Sequence, residues 1–333
     1  MTTQQYPPIN YDGARKVYKD QPGNIAALTD VITRRLVQSE EWNYVNPGDL
    51  GFALYTRSLY LKLADIDSAL HSLVAWQYFE SKSIEYALLE DGEKITISLP
   101  NKEVSFGFHS DRDLRGIEGA HLEISTWRSL LCEDFDSARR FVKTVDHPQV
   151  KWRSESGDTF MRLLGCVFSL SDGELMDLIQ EYVNHSASEP VSHDKLDSVT
   201  YLDLPVIDVM MKVFGGADEK TYQKAMYSAV QNHHEYWSQP RLNDSEHGYF
   251  SIQLTTLAKV AFARHGYRIG FETDYVPEAF YTRPLPTLSY DFLNKYTAQE
   301  TAKRYCLFWL TYNKLFKSDS QRVAFLLCVG FGG

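Results

Sequence analysis

Long apolar runs, paired cysteines, glycine-rich phosphate loops and an excess of basic residues are all missing from this 333-residue chain. Each absence removes a class of protein. The longest apolar run, Val323 to Phe331, is too short to span a bilayer. The four cysteines, Cys132, Cys166, Cys306 and Cys328, show neither CxxC nor zinc-ligand spacing and read as buried thiols of a reducing compartment. The opening residues MTTQQYPPINYDGARK carry no apolar core of a secretion signal, so a cytoplasmic protein is expected. With 44 acids against 34 bases the formal charge is −10, which disfavours nucleic acid or an anionic membrane as partner and suits a basic protein. There is no GxSxG elbow, no Walker loop and no GxGxxG, so the chain is not expected to be an enzyme or to need a cofactor.

What is present is helical periodicity over most of the length. Hydrophobic residues make up 44% and charged residues 23%, values of a globular chain able to bury a real core. Residues 24–42 place Ile25, Leu28, Val31, Ile32 and Leu36 on one stripe behind a Pro22-Gly23 breaker. Asp49 is placed to cap a second helix, and Asp65 or Asp67 a third that runs through Phe79. Residues 133–145, 157–183 (with a turn at Asp172-Gly173), 218–237 and 250–267 read as further helices, joined by short connections that force antiparallel neighbours. Only residues 93–108 alternate with period two, as Ile95, Ile97, Leu99, a Pro100-Asn101 turn, then Val104, Phe106 and Phe108: a two-strand hairpin that has to lean on the helices. The expected architecture is therefore all-α, a single domain built as an irregular array of antiparallel helical hairpins with one small β-hairpin. Residues 184–200 are expected to form the longest loop, and 287–333 a C-terminal helical extension.

The stretch QNHHEYWSQPRLNDSEHGYF, residues 231–250, gathers His233, His234, Glu235, Asp244, Glu246 and His247, all metal-ligand types. A zinc-binding helix uses histidines four apart on one face, and no His or acid stands at 229, 230, 237 or 238 to complete such a pair. His233 falls instead on the stripe of Tyr222, Met226, Ala229 and Tyr236, and His234 on that of Tyr227 and Val230. Helix-packing histidines are the expected reading. A metal-dependent hydrolase that brings His247 round to His233 and His234 is the rival.

Two runs carry a family resemblance. YQKAMYSAVQNHHEYW (222–237) followed by FSIQLTTLAKVAFARHGYRIGFETDYVPEAF (250–280) resembles the immunity protein 49 family, through His234-Glu235-Tyr236-Trp237, Leu257, Ala258, Ala261, Gly266-Tyr267 and Glu272-Thr273-Asp274-Tyr275-Val276-Pro277. The resemblance implies a mostly helical, non-enzymatic bacterial immunity protein of the polymorphic-toxin systems of interbacterial competition. Such a protein binds and blocks a cognate toxin, expected to be a nuclease or another cytosol-acting enzyme. The alternative is a helical scaffold or adaptor for an unrelated protein partner. Within the motif, Asp274 is expected to cap the helix that Pro277 opens, and Glu235, Tyr236 and Trp237 to anchor a helix end.

Charge is distributed very unevenly. Residues 172–219 hold eleven carboxylates against Lys195 and Lys212, nine of the ten net negative charges in 48 residues. On the helix expected over 172–183, Glu174, Asp177 and Glu181 share one face, and Leu175, Leu178, Ile179 and Tyr182 form the buried one. Such a face can serve solubility alone. It can also dock a basic toxin, since nucleases grip phosphate with lysine and arginine. The expected toxin-binding residues are Asp172, Glu174, Asp177, Glu181, Asp194 and Asp197, extended to Asp244 and Glu246, with no catalytic or metal-binding residue.

Overall fold

A computed structural model describes residues 6–10, 21–38, 54, 56–58, 61, 65–100, 102–107, 117–152, 155–188, 198–242, 245–291 and 293. Ten α-helices are placed among these residues: α1 (Gln21–Gln38), α2 (Ile66–Ala87), α3 (Gly119–Leu131), α4 (Phe135–Lys143), α5 (Glu155–Val167), α6 (Leu175–Ser188), α7 (Leu204–Phe214), α8 (Glu219–Trp237), α9 (Ile252–His265) and α10 (Glu278–Thr282). A hairpin of β1 (Lys94–Leu99) and β2 (Lys102–Gly107) sits between α2 and α3. A two-residue parallel pair joins β3 (Ile117–Glu118) to β4 (Val150–Lys151). The all-α expectation holds.

Capping chemistry explains several helix starts. Asp65 opens α2 by accepting from the Ser68 backbone at 3.3 Å, Asp134 opens α4 by accepting from Ser137 at 3.1 Å, and Asp218 opens α8 by accepting from Thr221 at 2.8 Å. α9 ends where Gly266 adopts φ 72°, the left-handed value that releases the chain. One expected break is absent. Pro22 and Gly23 lie inside the first turn of α1, where a missing N–H costs nothing. The expected Asp49 cap falls outside the described residues. In the stretch it was to open, Leu54, Arg57, Ser58 and Leu61 are buried, and Arg57 Nε donates to Thr29 of α1 at 3.0 Å.

The hairpin has the expected register, with Ile97 opposite Val104. It leans on the helices through Tyr78 of α2, whose hydroxyl accepts from the Ser98 backbone at 2.6 Å, and through Tyr290, which donates to the Ser98 carbonyl at 2.8 Å. Tyr290 and buried Leu293 are the last parts of the C-terminal extension to be placed, and 294–333 lie outside the described residues.

α3 forms the hub of the fold, packing against α2, α4, α5 and α9. It is buried nearly all round although it is rich in polar residues: Ser125, Thr126, Arg128 and Ser129 are at most 1% exposed. Each has a partner. Thr126 and Ser129 donate back to the Leu122 and Ser125 carbonyls at 2.9 and 2.8 Å. Arg128 donates to Gln77 at 2.9 Å and to Ser125 at 2.9 Å, and lies 4.3 Å over the Trp76 ring. Gln77 in turn donates to Ser129 at 2.6 Å and to the outer oxygen of Asp134 at 3.1 Å. Glu80 completes the set, accepting from His121 at 2.8 Å. Burial alone would raise the Glu80 carboxyl, but the His121 hydrogen bond and the Arg128 charge outweigh it and hold the group below the usual carboxylate range.

This network sets the first prediction. Arg128→Leu leaves Glu80 and Gln77 buried without their guanidinium and should cost about 3–5 kcal/mol. Adding Glu80→Gln should restore part of the loss, read by urea denaturation of the single and double variants. A depressed Glu80 contributes stability that is full above the usual carboxylate range and is lost as the pH falls through its lowered value. The wild-type Tm should therefore drop more steeply in acid than that of Glu80→Gln.

Candidate functional site

α6 takes its place through its inner side. Leu178 and Ile179 pack half-buried against the core and Tyr182 is 1% exposed. The Tyr182 ring lies 5.5 Å from Phe160 of α5, and Thr159 of α5 meets His185 at 2.8 Å. The Tyr182 hydroxyl donates at 2.9 Å to Asp203, in the π-helical turn Val199–Asp203 that leads into α7. Glu123 of α3, half-buried, is raised above the usual carboxylate range, first by burial and then by the Asp203 carboxylate.

The outer side is acidic. Asp172, Glu174, Asp177 and Glu181 are all exposed, and none makes an ion pair among the described residues. Their field is felt locally: the Cys166 thiol is pushed up by burial and then by the Glu174 and Asp172 carboxylates. The helix begins at Leu175, so Glu174 stands just ahead of it, its carbonyl accepting from Leu178 at 3.1 Å. Of the loop expected over 184–200, α6 takes in residues up to Ser188 and the chain is helical again from Ser198, while 189–197 lie outside the described residues. Asp194, Asp197 and Asp244 lie outside the described residues, as does the Glu246 side chain, whose backbone belongs to the short 3₁₀ turn Glu246–Tyr249.

Two exposed residues of this helix were not singled out by sequence. Met176 and Val183, seven apart, are 67% and 46% exposed and share a face of their own, turned roughly 100° or more around the helix from Asp177 and Glu181. An apolar side chain outside the buried stripe of an amphipathic helix is the signal that marks them. Leu204, at the start of α7, is 43% exposed.

The histidine run has a structural role. His233 is buried, with its ring 5.1 Å from that of Tyr275 in an edge contact. His234 Nδ1 meets the Tyr275 hydroxyl at 2.8 Å. Tyr275 is itself buried, and its carbonyl accepts from Ser251 at 3.0 Å where α9 begins. Gly248 packs so closely on Trp237 that an added Cβ would come within 2.8 Å of it. The two halves of the 234–277 motif are thus one buried joint. Among the described residues no group of three or more His, Cys, Asp or Glu side chains could hold a metal ion, and the His247 side chain is not among them. One expectation is corrected. Asp274 does not stand at the cap position of α10, which begins at Glu278 with Pro277 at its cap. The Asp274 backbone instead donates to Asn10 at 3.0 Å, beside the bridge between Ile9 and Thr273.

That segment borders a cavity of about 400 Å³, lined by Asn10, Ile269, Glu272, Asp274, Val276 and Tyr281 among others. Arg268 and Glu278 stand at the cavity as an ion pair.

Residues 172–280 match the family model described as immunity protein 49. The match supports the resemblance read from the motif, and it takes in α6, the π turn, the histidine joint and the cavity lining apart from Asn10 and Tyr281. No curated protein and no solved structure matches the chain. No helix among the described residues is long and apolar enough to cross a membrane.

If the motif is a joint, its loss should be felt as stability. Tyr275→Phe, which deletes only the hydroxyl to His234, should cost about 1 kcal/mol. Tyr275→Ala should cost about 3–5 kcal/mol, on the scale of buried aromatic truncations. Equal effects in thermal unfolding would show that the ring, rather than the joint as a whole, is dispensable.

Proposed function

We propose that this chain is an immunity protein that binds a cognate toxin and neutralises it by occluding its active site, and that the toxin is a basic, cytosol-acting nuclease. The observation that carries this reading is the match of residues 172–280 to the immunity family, because the acidic face of α6 opens that segment. The proposed contact surface is Asp172, Glu174, Asp177 and Glu181, extended in sequence through Asp194 and Asp197 and to Asp244 and Glu246. A nuclease that grips phosphate carries a cluster of lysine and arginine. Carboxylates set in open solvent with no internal partner present the complementary charge, steer a fast encounter and cover the site that nucleic acid would use. Met176 and Val183, exposed on another face of the same helix, offer apolar contact beside the charged one, of the kind that slow dissociation requires. The chain then works without catalysis, in the cytoplasm where the toxin acts.

The decisive experiment is kinetic. The triple variant Glu174→Lys, Asp177→Lys, Glu181→Lys should slow association with the toxin by roughly tenfold or more at low salt, while its Tm stays near that of the wild type. Wild-type association should fall steeply with ionic strength. A folded triple variant that still protects cells and binds at the unchanged rate would place the contact elsewhere. The toxin to use is the product of the adjacent gene, and a gene neighbourhood without one would favour the scaffold reading.

The metal-dependent hydrolase reading makes a different forecast. It requires stoichiometric zinc, iron or manganese and a Tm that falls with chelator. The buried His233 and the Tyr275-bound His234 lead us to expect neither.

A further inference from the structure

We propose that the groove between Tyr227 of α8 and the backbone of residues 271–274 docks an extended, proline-containing segment of a protein partner, and that residues 6–10 of this chain fill it in cis as a displaceable strap. That the partner is the toxin rests on the reading above; the groove does not. The segment now seated shows what the groove takes. Residues 6–10 read Tyr-Pro-Pro-Ile-Asn. Ile9 is buried and Tyr6 half-buried, whereas Pro7, Pro8 and Asn10 are exposed. Inward residues three apart match the three-residue turn of a polyproline II helix, which the two prolines favour. Each inward residue has its own seat. The Tyr6 ring stacks on Tyr227 with centroids 4.5 Å apart and meets Phe271 edge-on at 6.3 Å, while Tyr227 and Phe271 touch edge-on at 5.0 Å. Ile9 pairs in parallel with Thr273, its N–H donating to the Glu272 carbonyl at 3.0 Å. Aromatic-lined grooves and strand edges are two general ways of holding an extended peptide, and this groove combines them.

The groove is built without the strap. Gln223 of α8 donates to the Arg268 carbonyl at 3.1 Å and packs against Gly270, where a Cβ would come within 2.8 Å of it. These contacts tie the loop that carries Phe271 to the helix that carries Tyr227. Thr273 Oγ1 accepts from the Tyr275 backbone at 3.2 Å and fixes the edge from behind. A preformed groove loses little entropy when one occupant replaces another. The strap, by contrast, is short of backbone donors. Pro7 and Pro8 have no N–H to give, so its pairing is concentrated at Ile9 and at Asn10, whose side-chain oxygen accepts from the Asp274 backbone at 3.0 Å. An incoming segment with an aromatic residue followed three positions later by an aliphatic one can take both seats and the same edge. The groove also lies within residues 172–280, which match the immunity family, and the strap lies outside them.

The probe is a fluorophore-labelled peptide with the sequence of residues 4–10, QQYPPIN, titrated against the full chain. The double variant Tyr6→Ala, Ile9→Asp unseats the strap. It should bind the peptide about tenfold more tightly than the wild type, whose own strap competes at the millimolar effective concentration of a short tether. Adding Tyr227→Ala should abolish that gain. Equal affinity of the wild type and the double variant would overturn the proposal, and so would no binding to the double variant at millimolar peptide. Hydrogen exchange of the wild type gives a reading that needs no variant to fold. The Ile9 amide should exchange by local opening, about tenfold or more faster than the Leu257 and Ala258 amides of α9. Equal protection would make the strap a fixed part of the core and would also overturn the proposal. These outcomes are independent of whether any toxin is found. With the toxin in hand, the Ile9 amide should lose its protection in the complex, and the double variant, already open, should associate about tenfold faster. An Ile9 amide still protected in the complex would refute the toxin as the displacing partner.

Discussion

The junction of α2, α3 and α4 depends on a buried guanidinium. Arg128 is 1% exposed, and the desolvation of such a charge is tolerable only with several good partners. Gln77, Ser125, Trp76 and Glu80 supply them, and they come from two helices. The requirement fixes α2 against α3 in one register. Asp134 then extends the constraint, since one of its oxygens receives Gln77 while the other caps α4. Two helices and the start of a third are locked by one connected set of polar contacts. An apolar core of the same volume would bury as much surface but would allow sliding.

The second half of the chain is joined to this frame by its basic residues. Lys259 of α9 reaches the Leu131 carbonyl at the end of α3 at 2.9 Å and pairs with Glu133 at 2.9 Å. A lysine there meets both an orphan carbonyl and the negative end of a helix. His265 does the same for α7 through the Val213 carbonyl at 3.0 Å. Arg264 lies 4.7 Å over the Phe214 ring. Lys259, His265 and Arg264 are thus turned onto helix ends and an aromatic face. The carboxylates at the start of α6 are left in solvent without such partners.

Sequence made much of this readable, for identifiable reasons. α2, α8 and α9 have apolar residues at helical spacing and strong caps, so periodicity and Asp65, Asp218 and Ser251 reveal them. The hairpin is the one place where period two replaces 3.6. α3 is not legible, because a helix buried nearly all round with Ser, Thr and Arg inside presents no apolar stripe. α7 fails in the opposite direction, since LPVIDVMMKVF is apolar nearly all round and offers no polar face to set the period. The parallel contacts of Ile117 with Val150 and of Ile9 with Thr273 join residues 33 and 264 apart, which no local pattern can report. For the site, spacing alone placed Glu174, Asp177 and Glu181 on one exposed side. The cavity could not be foreseen, because it needs Asn10 beside Asp274.

The motif that carries the family likeness and the surface proposed to meet the toxin are separate in kind. His233, Tyr275, Val276 and the Trp237–Gly248 contact are buried or closely packed, and a change at any of them costs stability whatever the partner. The acids of α6 are exposed, so exchanging them disturbs packing little while altering the charge pattern that a partner reads. A recognisable frame can therefore coexist with a changeable contact surface. In an inhibitor that must fit one toxin and ignore its relatives, selectivity belongs on residues whose replacement leaves the frame standing.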